Sequence, residues 1–424
     1  MQKNKYLNRI ADIELQQALQ TSGAVLIEGP KWCGKTSTAR QTAKSVIYIQ
    51  DPDQSQTYQA MADTKPSLLL QGDTPRLIDE WQVIPILWDT VRHEVDKRSL
   101  TGQFVLTGSA SPTDNKTAHS GTGRISRLKM RTMSLYESKE SNGNISLENL
   151  FLNNLPQDTF FPSELTIEQI AFAICRGGWP ASLSAAPKNA LKMSIDYVES
   201  VINQDISTVD GVSKSPERVR LLLRSLARNV STMANYQTIK DDIESNDSQF
   251  SEKTLSTYHQ ALKRIFVVED LAAWQPSLRS KTAIRTSDKR HFVDPSIATA
   301  VLRTNPEQLL NDFNLFGLLF ESMCTRDLRI YAQANDGDIL HYRDKSGLEA
   351  DLIIRLRNGD WAAVEVKLGQ KEIELAAQNL LKLKAKINTE KMKEPKFLMV
   401  LTGGISAYQR NDGVWVIPIG CLKP

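Results

Sequence analysis

Short apolar runs alternate with amphipathic stretches along the first third of the chain. The run "AVLIEG" at 24–29 is apolar almost to its end, which is typical of a buried parallel strand. The stretch "KTSTARQTA" after it reads as a helix, and further strands are predicted at 45–51, 75–80 and 102–111. This alternation of strand and helix predicts an α/β domain with a largely parallel sheet.

The pattern changes twice after this domain. A polar stretch at 137–162 predicts a loop, a linker or an insertion, and helical patterns then dominate until strands alternate with a helix again near the end. We therefore predict an α/β fold with four segments, with a second α/β domain at the C-terminal end. Their expected bounds are 1–136 for the first α/β core, 137–200 for a linker and helical lid, 201–290 for a helical, winged-helix-like region, and 291–424 for the second α/β domain.

Composition adds little to this picture. The hydrophobic content of 41% and the charged content of 24% are ordinary for a globular protein. The net charge of +3 neither requires nor excludes a nucleic-acid partner. The four cysteines form no C-x-x-C pair, and no apolar run approaches the roughly 20 residues of a membrane-spanning helix. We expect a cytoplasmic protein without a membrane partner.

The first chemical motif is "GPKWCGKTS". It fits G-x-x-x-x-G-K-[ST] from Gly29 to Thr36, a loop whose backbone N–H groups cradle phosphates. Lys35 is expected at the β- and γ-phosphates and Thr36 at Mg²⁺. A chance match is the alternative, but a strand precedes the loop and a helix follows it, as the function requires. The predicted ATP contacts are Gly29, Pro30, Lys31, Trp32, Cys33, Gly34, Lys35, Thr36 and Ser37.

The stretch "RLIDE" supports the nucleotide site. A buried strand that ends in two carboxylates is suited to a Walker B element. Asp79 is expected to hold Mg²⁺, and Glu80 is expected to polarise the attacking water as a catalytic residue. Ordinary surface acids at a strand end are the alternative.

Other polar side chains could act on the γ-phosphate. Thr107 or Ser109 ends the next strand and could sense this phosphate, whereas Arg124, Arg127 or Arg176 could stabilise transition-state charge. A plain turn and ordinary surface arginines remain alternatives. If Arg124 acts across an interface, the protein must be an oligomer.

A second constellation lies near the C-terminus. Glu365 and Lys367 share a face of one predicted strand, and a hairpin brings Asp351 of the preceding strand towards them. The two carboxylates could bind Mg²⁺ while Lys367 activates water, and Glu321 could add a further carboxylate. An exposed strand of alternating charge is the alternative, but the otherwise apolar "AAVEVKLG" argues against it.

Residues 236–274 read as helix, turn, helix and then a strand or wing. Such a layout can place the second helix in a DNA groove, although a helical hairpin that serves packing explains the pattern equally well. The basic stretch at 279–291 could contact phosphates or simply be a solvated loop. The polar side chains expected to face a groove are Lys253, Thr254, Thr257 and His259.

Taken together, "GAVLIEGPKWCGKT", "PRLIDEWQ", "FVLTGSASP", "GGWPAS", "HFVDPS" and "GLEADLIIRL…AVEVKLG" resemble a prokaryotic family of AAA-type ATPases. In that family a P-loop NTPase domain precedes a C-terminal domain of unknown function with a winged-helix and restriction-endonuclease-like core. The resemblance implies nucleotide contacts from the phosphate loop and a Walker B role for Asp79 and Glu80. It also implies nuclease-like positions at Asp351, Glu365 and Lys367.

Two functions follow from these patterns. In the first, ATP hydrolysis with Mg²⁺ controls a DNA-facing, nuclease-like C-terminal module. In the second, the chain is a nucleotide-dependent switch with slow turnover, a catalytically silent C-terminal domain and a protein partner. The intact Glu80, Glu365 and Lys367 favour the first function. The near-neutral charge favours the second.

Overall fold

The structure is a computed structural model that divides into two units. The first comprises Met1–Thr132, Asn203–Ser213 and Gln260–Phe266, and the second comprises the remaining three stretches, Met133–Ile202, Lys214–His259 and Val267–Pro424. The residues that the structure describes are 6–109, 121–156, 160–208, 214–244, 247, 250–274, 287–387 and 392–424.

The first unit contains a five-stranded sheet in the order β2-β3-β4-β1-β5, and every pairing in it is parallel. Its strands are β1 (Ala24–Glu28), β2 (Ser45–Tyr48), β3 (Arg76–Asp79), β4 (Phe104–Gly108) and β5 (Ile125–Lys129). Its helices are α1 (Ile10–Thr21), α2 (Lys35–Thr42), α3 (Ser55–Thr64), α4 (Ile86–Arg98) and the short α8 (Ile206–Thr208).

Apolar side chains cover both faces of this sheet. Alternate residues of each strand enter opposite clusters: Leu26 and Leu106 pack with Trp81 and Trp88 on one face, and Ile27 lies in the cluster on the other. Burial on both faces explains why β1 and β4 read as continuous apolar runs rather than alternating ones. The predicted α/β architecture of this part of the chain is confirmed.

The second unit combines a helical part with a mixed sheet. Its strands are β6 (Ile145–Ser146), β7 (Phe161–Pro162), β8 (Gly337–Arg343), β9 (Glu349–Leu356), β10 (Trp361–Lys367), β11 (Leu398–Thr402), β12 (Ser406–Gln409), β13 (Trp415–Pro418) and β14 (Leu422–Lys423). Its helices are α5 (Leu147–Phe151), α6 (Ile167–Arg176), α7 (Pro187–Ser200), α9 (Pro216–Arg228), α10 (Tyr236–Glu244), α11 (Glu252–Arg264, which continues into the first unit), α12 (Pro295–Leu302), α13 (Pro306–Asn311), α14 (Phe313–Ala334) and α15 (Ile373–Lys386).

Seven strands form the large sheet, in the order β7-β12-β13-β11-β10-β9-β8. β10 pairs antiparallel with β9 and parallel with β11, and α15 connects β10 to β11. The long helix α14 leads directly into β8 and packs on the sheet. A predicted second α/β domain is therefore present at the C-terminal end.

The polar stretch at 137–162, predicted as a loop, a linker or an insertion, contains regular structure. β6 pairs with β14, and β7 pairs with β12, so this stretch contributes two short strands to the second unit. Its polar residues gave no strand signal because two-residue strands are too short to show a period. One division between the two units falls between Thr132 and Met133, and the expected bounds of the four segments stay predictions. Of the described helices, none has the length and apolarity to cross a membrane.

Candidate functional site

The phosphate-loop sequence forms a tight turn between β1 and α2 in the first unit. α2 begins at Lys35, directly after Gly34, whose φ of 102° lies in the left-handed region that favours glycine. A Cβ at Gly29 would lie 2.0 Å from the Met130 carbonyl oxygen. Both glycines of the motif are thus required by the backbone itself. Trp32 projects from the loop with 55% of its surface exposed.

Lys35 is buried within the curve of this loop. Its Nζ donates to the carbonyl oxygens of Gly29, at 3.0 Å, and of Pro30, at 2.8 Å. The Lys35 ammonium and the N-terminal end of α2 both place positive charge on the concave side of the loop. Such a concavity is suited to phosphate.

Two hydroxyl groups meet the Asp79 carboxylate. Thr36 Oγ1 donates to Asp79 Oδ1 at 2.7 Å, and Thr107 Oγ1 donates to the same oxygen at 2.6 Å. The strand order β3-β4-β1 causes this convergence, because Asp79 ends β3, Thr107 lies near the end of β4, and α2 follows β1. The adjacent hydroxyl and carboxylate oxygens of Thr36 and Asp79 are hard donors, so these two residues fit Mg²⁺.

Glu80 follows in a left-handed conformation with φ of 55°. Its carboxylate accepts hydrogen bonds from Gln82 Nε2 and from Ser109 Oγ, the latter at 3.2 Å. Its backbone N–H donates to Thr107 Oγ1 at 3.3 Å. The two candidate sensors, Thr107 and Ser109, thus each bond to one of the two predicted Walker B carboxylates.

Arg9 is a loop contact that the sequence did not predict. Its buried guanidinium donates from Nη1 to the Cys33 carbonyl oxygen at 2.7 Å and from Nη2 to the Arg131 carbonyl oxygen at 2.9 Å. The side chain therefore ties the phosphate loop to the end of β5. A single arginine before an amphipathic helix matches no sequence motif, so the sequence alone did not indicate that Arg9 contacts the phosphate loop.

The candidate arginines are engaged in ion pairs. Arg124 Nε lies 2.8 Å from an Asp96 oxygen, and Arg127 Nη1 lies 2.9 Å from a Glu28 oxygen; both arginines are nearly half exposed. In the second unit, the buried Arg176 holds both carboxylate oxygens of Glu140 at 2.7–2.8 Å. Their predicted role at a γ-phosphate stays a prediction.

The C-terminal constellation converges in the second unit. Lys367 Nζ lies 2.8 Å from Glu365 Oε2 and 3.3 Å from Asp351 Oδ2, and the Val366 N–H donates to that same Asp351 oxygen at 2.9 Å. The antiparallel pairing of β9 with β10 aligns Leu352 with Val364. Asp351 and Glu365 therefore face each other across the two strands.

Two further residues complete this cluster. Lys289 Nζ lies 2.8 Å from Glu321 Oε1 on α14 and 3.1 Å from Asp351 Oδ1. Glu321 was an expected member, whereas Lys289 lay in the basic stretch at 279–291 and received no site role. We call Lys289, Glu321, Asp351, Glu365 and Lys367 the carboxylate–lysine cluster.

Burial and mutual charge move the pKa values in this cluster. Burial raises the pKa of Glu321 to about 7, and burial together with the Asp351 charge raises the pKa of Glu365 to about 8. Burial would also raise the pKa of Asp351, but the ammonium groups of Lys289 and Lys367 outweigh it and hold this pKa well below its usual range. Near neutral pH, Asp351 is thus the firmly ionised carboxylate of the group.

The metal expected at Asp351 and Glu365 stays a prediction. Within the described ranges, no three or more His, Cys, Asp or Glu side chains are grouped so that they could hold a metal ion. The two lysines lie among the carboxylates instead.

The predicted DNA-reading surface needs one correction. His259 is completely buried, with Nδ1 2.9 Å from the Tyr236 hydroxyl and Nε2 3.3 Å from an Asp270 oxygen, so it cannot face a groove. His259 lies at helical spacing from the buried Leu255 and Leu262, and it was expected to be exposed because of its polarity alone, although a buried polar group can be satisfied internally. On the same helix Lys253 and Thr257 are exposed and Thr254 is half-buried.

After α11, two isolated antiparallel bridges join Val268 to Phe292 and Leu271 to Lys289, and the expected wing stays a prediction. Most of the basic stretch lies between these segments, at 279–286, outside the described residues.

Three sequence profiles match successive parts of the chain. An AAA domain matches residues 21–139, a domain of unknown function (DUF8612) matches residues 167–308, and a second domain of unknown function (DUF4143) matches residues 316–422. The AAA match includes the phosphate loop and both Walker B carboxylates, and the DUF4143 match includes β8 to β13.

Individual proteins show weaker similarity. The chain is 23% identical over 354 residues to the uncharacterized proteins Mb2031c of Mycobacterium bovis and Rv2008c of Mycobacterium tuberculosis, covering 82% of this chain and 71% of each relative. Among solved structures, the Walker-type ATPase PABY2304 of Pyrococcus abyssi is similar at 15% identity with a TM-score of 0.42, over 71% of this chain and 97% of that one. The domain matches show an AAA domain at residues 21–139 that is joined to a C-terminal domain of unknown function at residues 316–422.

Proposed function

We propose that the protein is an Mg²⁺-dependent ATP hydrolase whose turnover controls a DNA-facing C-terminal module. One observation carries the hydrolase assignment: Thr36, on the helix after the phosphate loop, donates to the Asp79 carboxylate at 2.7 Å. A chance loop match would have no reason to bring its threonine onto the acidic end of a separate strand. The AAA-domain match supports the same assignment.

The residues divide into binding and catalytic roles. The loop at 29–37 binds the triphosphate through the backbone N–H groups of its residues other than Pro30, which has none. Lys35 turns its ammonium from the loop carbonyl oxygens to the β- and γ-phosphates. Thr36 and Asp79 hold Mg²⁺, which neutralises phosphate charge when bound. Thr107 fixes the orientation of Asp79.

Glu80 supplies the base for hydrolysis. Its carboxylate, oriented by Gln82 and Ser109, accepts a proton from the attacking water as the water oxygen bonds to the γ-phosphorus. The bond from that phosphorus to the bridging oxygen breaks, which gives ADP and phosphate. The neighbouring Ser109 and Thr107, which bond to Glu80 and Asp79, would register the loss of the γ-phosphate.

The DNA-facing part of the proposal rests on the second unit. α10 and α11 are consecutive helices, and Ser251 Oγ accepts from the Thr254 N–H at 3.1 Å, as a cap of the second helix does. The exposed Lys253 and Thr257 are one turn apart and offer polar contacts to a duplex. The nuclease-like resemblance of Asp351, Glu365 and Lys367 points in the same direction.

The test is ATP turnover by purified protein, with and without duplex and single-stranded DNA. We expect hydrolysis that DNA stimulates. Lys35→Ala is the blank, because Lys35 is the cationic phosphate contact. Lys44→Ala, at an exposed lysine just after the end of the same helix, is its matched control. Hydrolysis that persists in Lys35→Ala would refute the site, whereas turnover indifferent to DNA would refute the coupling alone.

DNA cleavage is tested separately, with supercoiled plasmid and Mg²⁺. If the C-terminal cluster cleaves, Lys367→Ala should end cleavage while ATP turnover continues, since Lys367 contacts both Asp351 and Glu365. Cleavage that survives in Lys367→Ala comes from another site.

A nucleotide-dependent switch with a catalytically silent C-terminal domain is the second candidate. It is favoured by Lys289, whose ammonium bonds to two of the carboxylates that a nuclease would need. In that case turnover is slow, and a protein partner reads the ATP-bound state.

A further inference from the structure

Lys289 is fixed in place by its backbone. Its N–H donates to the Leu271 carbonyl oxygen at 2.9 Å, and its own carbonyl oxygen accepts from the Leu271 N–H at 2.9 Å. The residue is only 5% exposed. The two backbone hydrogen bonds with Leu271 therefore fix the position from which the buried Lys289 side chain enters the carboxylate–lysine cluster. The ammonium has little freedom to move out of the cluster.

The ammonium of Lys289 joins two separate elements. It contacts Glu321 on α14 and Asp351 on β9, at 2.8 and 3.1 Å. The other Asp351 oxygen is occupied by the Val366 N–H and by Lys367, and Lys367 also holds Glu365. Each of the three carboxylates thus has at least one lysine partner within the cluster.

A divalent ion at the same carboxylates would meet unfavourable electrostatics. Mg²⁺ requires oxygen ligands in near-octahedral arrangement, and lysine has no lone pair to offer while it is charged. Two positive charges a few ångströms apart inside a protein repel strongly. The ion would have to displace Lys289, and the displaced ammonium would lose its partners while buried, which is costly.

We propose that Lys289 is an internal cation that takes the place of a divalent metal in the carboxylate–lysine cluster, so that this cluster joins α14 to β9 and β10 without a metal. The residues present therefore do not fit the Mg²⁺ that the nuclease-like pattern predicts at Asp351 and Glu365. The inference concerns the second unit alone and holds whether or not the first unit hydrolyses ATP.

The test measures Mn²⁺ binding by electron paramagnetic resonance on nucleotide-free full-length protein. All samples carry Asp79→Asn, so that the proposed Mg²⁺ site of the first unit does not contribute to the Mn²⁺ signal. With Lys289 present we expect no bound Mn²⁺ at the cluster. Lys289→Met keeps most of the unbranched side chain without the charge. It should strengthen Mn²⁺ binding by at least about tenfold, because it frees carboxylate oxygens for a hard cation.

Two control variants show whether the added Mn²⁺ binding occurs at the carboxylate–lysine cluster. Lys393→Met removes an exposed lysine that lies 2.7 Å from Asp360 in the same unit, and it should not create Mn²⁺ binding. Adding Asp351→Asn to Lys289→Met should abolish the gain. A folded Lys289→Met protein that binds no more Mn²⁺ than the Lys393→Met control would overturn the proposal.

The protein that retains Lys289 also tests the proposal, even if Lys289→Met does not fold. Its melting temperature should be the same in EDTA as in millimolar Mn²⁺, because a ligand that does not bind the native state cannot stabilise it. One tightly bound Mn²⁺ per chain that disappears on Asp351→Asn would instead show a metal site, and the proposal would be wrong.

Discussion

Thr36 and Asp79 are 43 residues apart in sequence, and their side-chain oxygens are 2.7 Å apart in the structure. Thr107 adds a second hydroxyl to the same carboxylate oxygen at 2.6 Å. Asp79 is thereby held in one orientation by two hydroxyl groups from the helix after β1 and from β4. This arrangement makes a direct prediction about how nucleotide hydrolysis depends on Mg²⁺.

Asp79→Asn should lower ATP turnover sharply. The amide is similar in size but lacks the charge that holds Mg²⁺, and the metal contributes several kcal/mol to transition-state stabilisation. We expect kcat to fall by at least about 100-fold, since each ~1.4 kcal/mol corresponds to a factor of ten. A titration of turnover against Mg²⁺ should also shift to higher concentrations.

The matched control is Asp63→Asn, which makes the same change at an exposed carboxylate on α3. It should leave kcat and the Mg²⁺ titration unchanged. Equal turnover in Asp79→Asn and Asp63→Asn would remove Asp79 from the metal site.

Glu80→Gln should separate binding from hydrolysis. The amide can still accept and donate hydrogen bonds near Gln82 and Ser109, but it cannot take a proton from water. General-base catalysis contributes roughly 10²–10⁴-fold, so kcat should fall by about that factor while a fluorescent ATP analogue binds as before. If nucleotide binding is lost together with turnover, Glu80 has a structural role rather than that of a base.

The arrangement of the candidate nucleotide site could largely be predicted from the sequence because its parts are local. The loop and the strand end each lie within a few consecutive residues, and parallel strands bring their carboxyl ends to one edge of a sheet, so Lys35, Thr36, Asp79 and Glu80 could be placed together. Arg9 could not, because its partners are backbone carbonyl oxygens that any residue would offer.

The second unit was harder to predict because its contacts are long-range. Asp351 and Glu365 were placed by a hairpin register, which is local. Lys289 is 62 residues from Asp351 and reads as one more charge in a basic loop. His259 stands at helical spacing from the buried Leu255 and Leu262, and its polarity alone suggested exposure. Its partners Tyr236 and Asp270, which satisfy it inside the protein, could not be read from the sequence. Tertiary partners of buried polar groups leave no periodic signal.

Asp294→Ala should destabilise the second unit strongly. This fully buried carboxylate lies 3.1 Å from Arg326 Nη1 and accepts from the N–H groups of Gly178 and Ser296, at 3.0 and 2.9 Å. Removing one partner of a buried ion pair costs about 3–5 kcal/mol when the other charge is left uncompensated. Arg326 keeps Asp327 at 2.8 Å, so we expect a loss at the lower end of this range, about 3 kcal/mol. Hydrogen exchange of α12 and α14 should report the loss without assuming that the whole chain unfolds in one step.

The control for that experiment is Asp338→Ala, which breaks an ion pair with Arg355 in which both side chains are about half exposed. An exposed pair contributes about 0–1 kcal/mol, so exchange should change little. Similar protection in the Asp294→Ala and Asp338→Ala proteins would contradict the importance of the buried pair.

Arg9→Ala should raise the KM for ATP more than it lowers kcat. Arg9 contacts the Cys33 carbonyl oxygen of the phosphate loop rather than the proposed catalytic groups, so its loss should loosen the loop that binds phosphate. A hydrogen bond from a charged group contributes about 1.5–3 kcal/mol, which corresponds to an increase in KM of about 10-fold or more. Arg9→Lys should recover only part of this, because one ammonium cannot reproduce the forked contact with Cys33 and Arg131. Arg40→Ala, an exposed change on α2, should leave both constants unchanged. A fall in kcat at constant KM would show instead that Arg9 acts on the hydrolytic step.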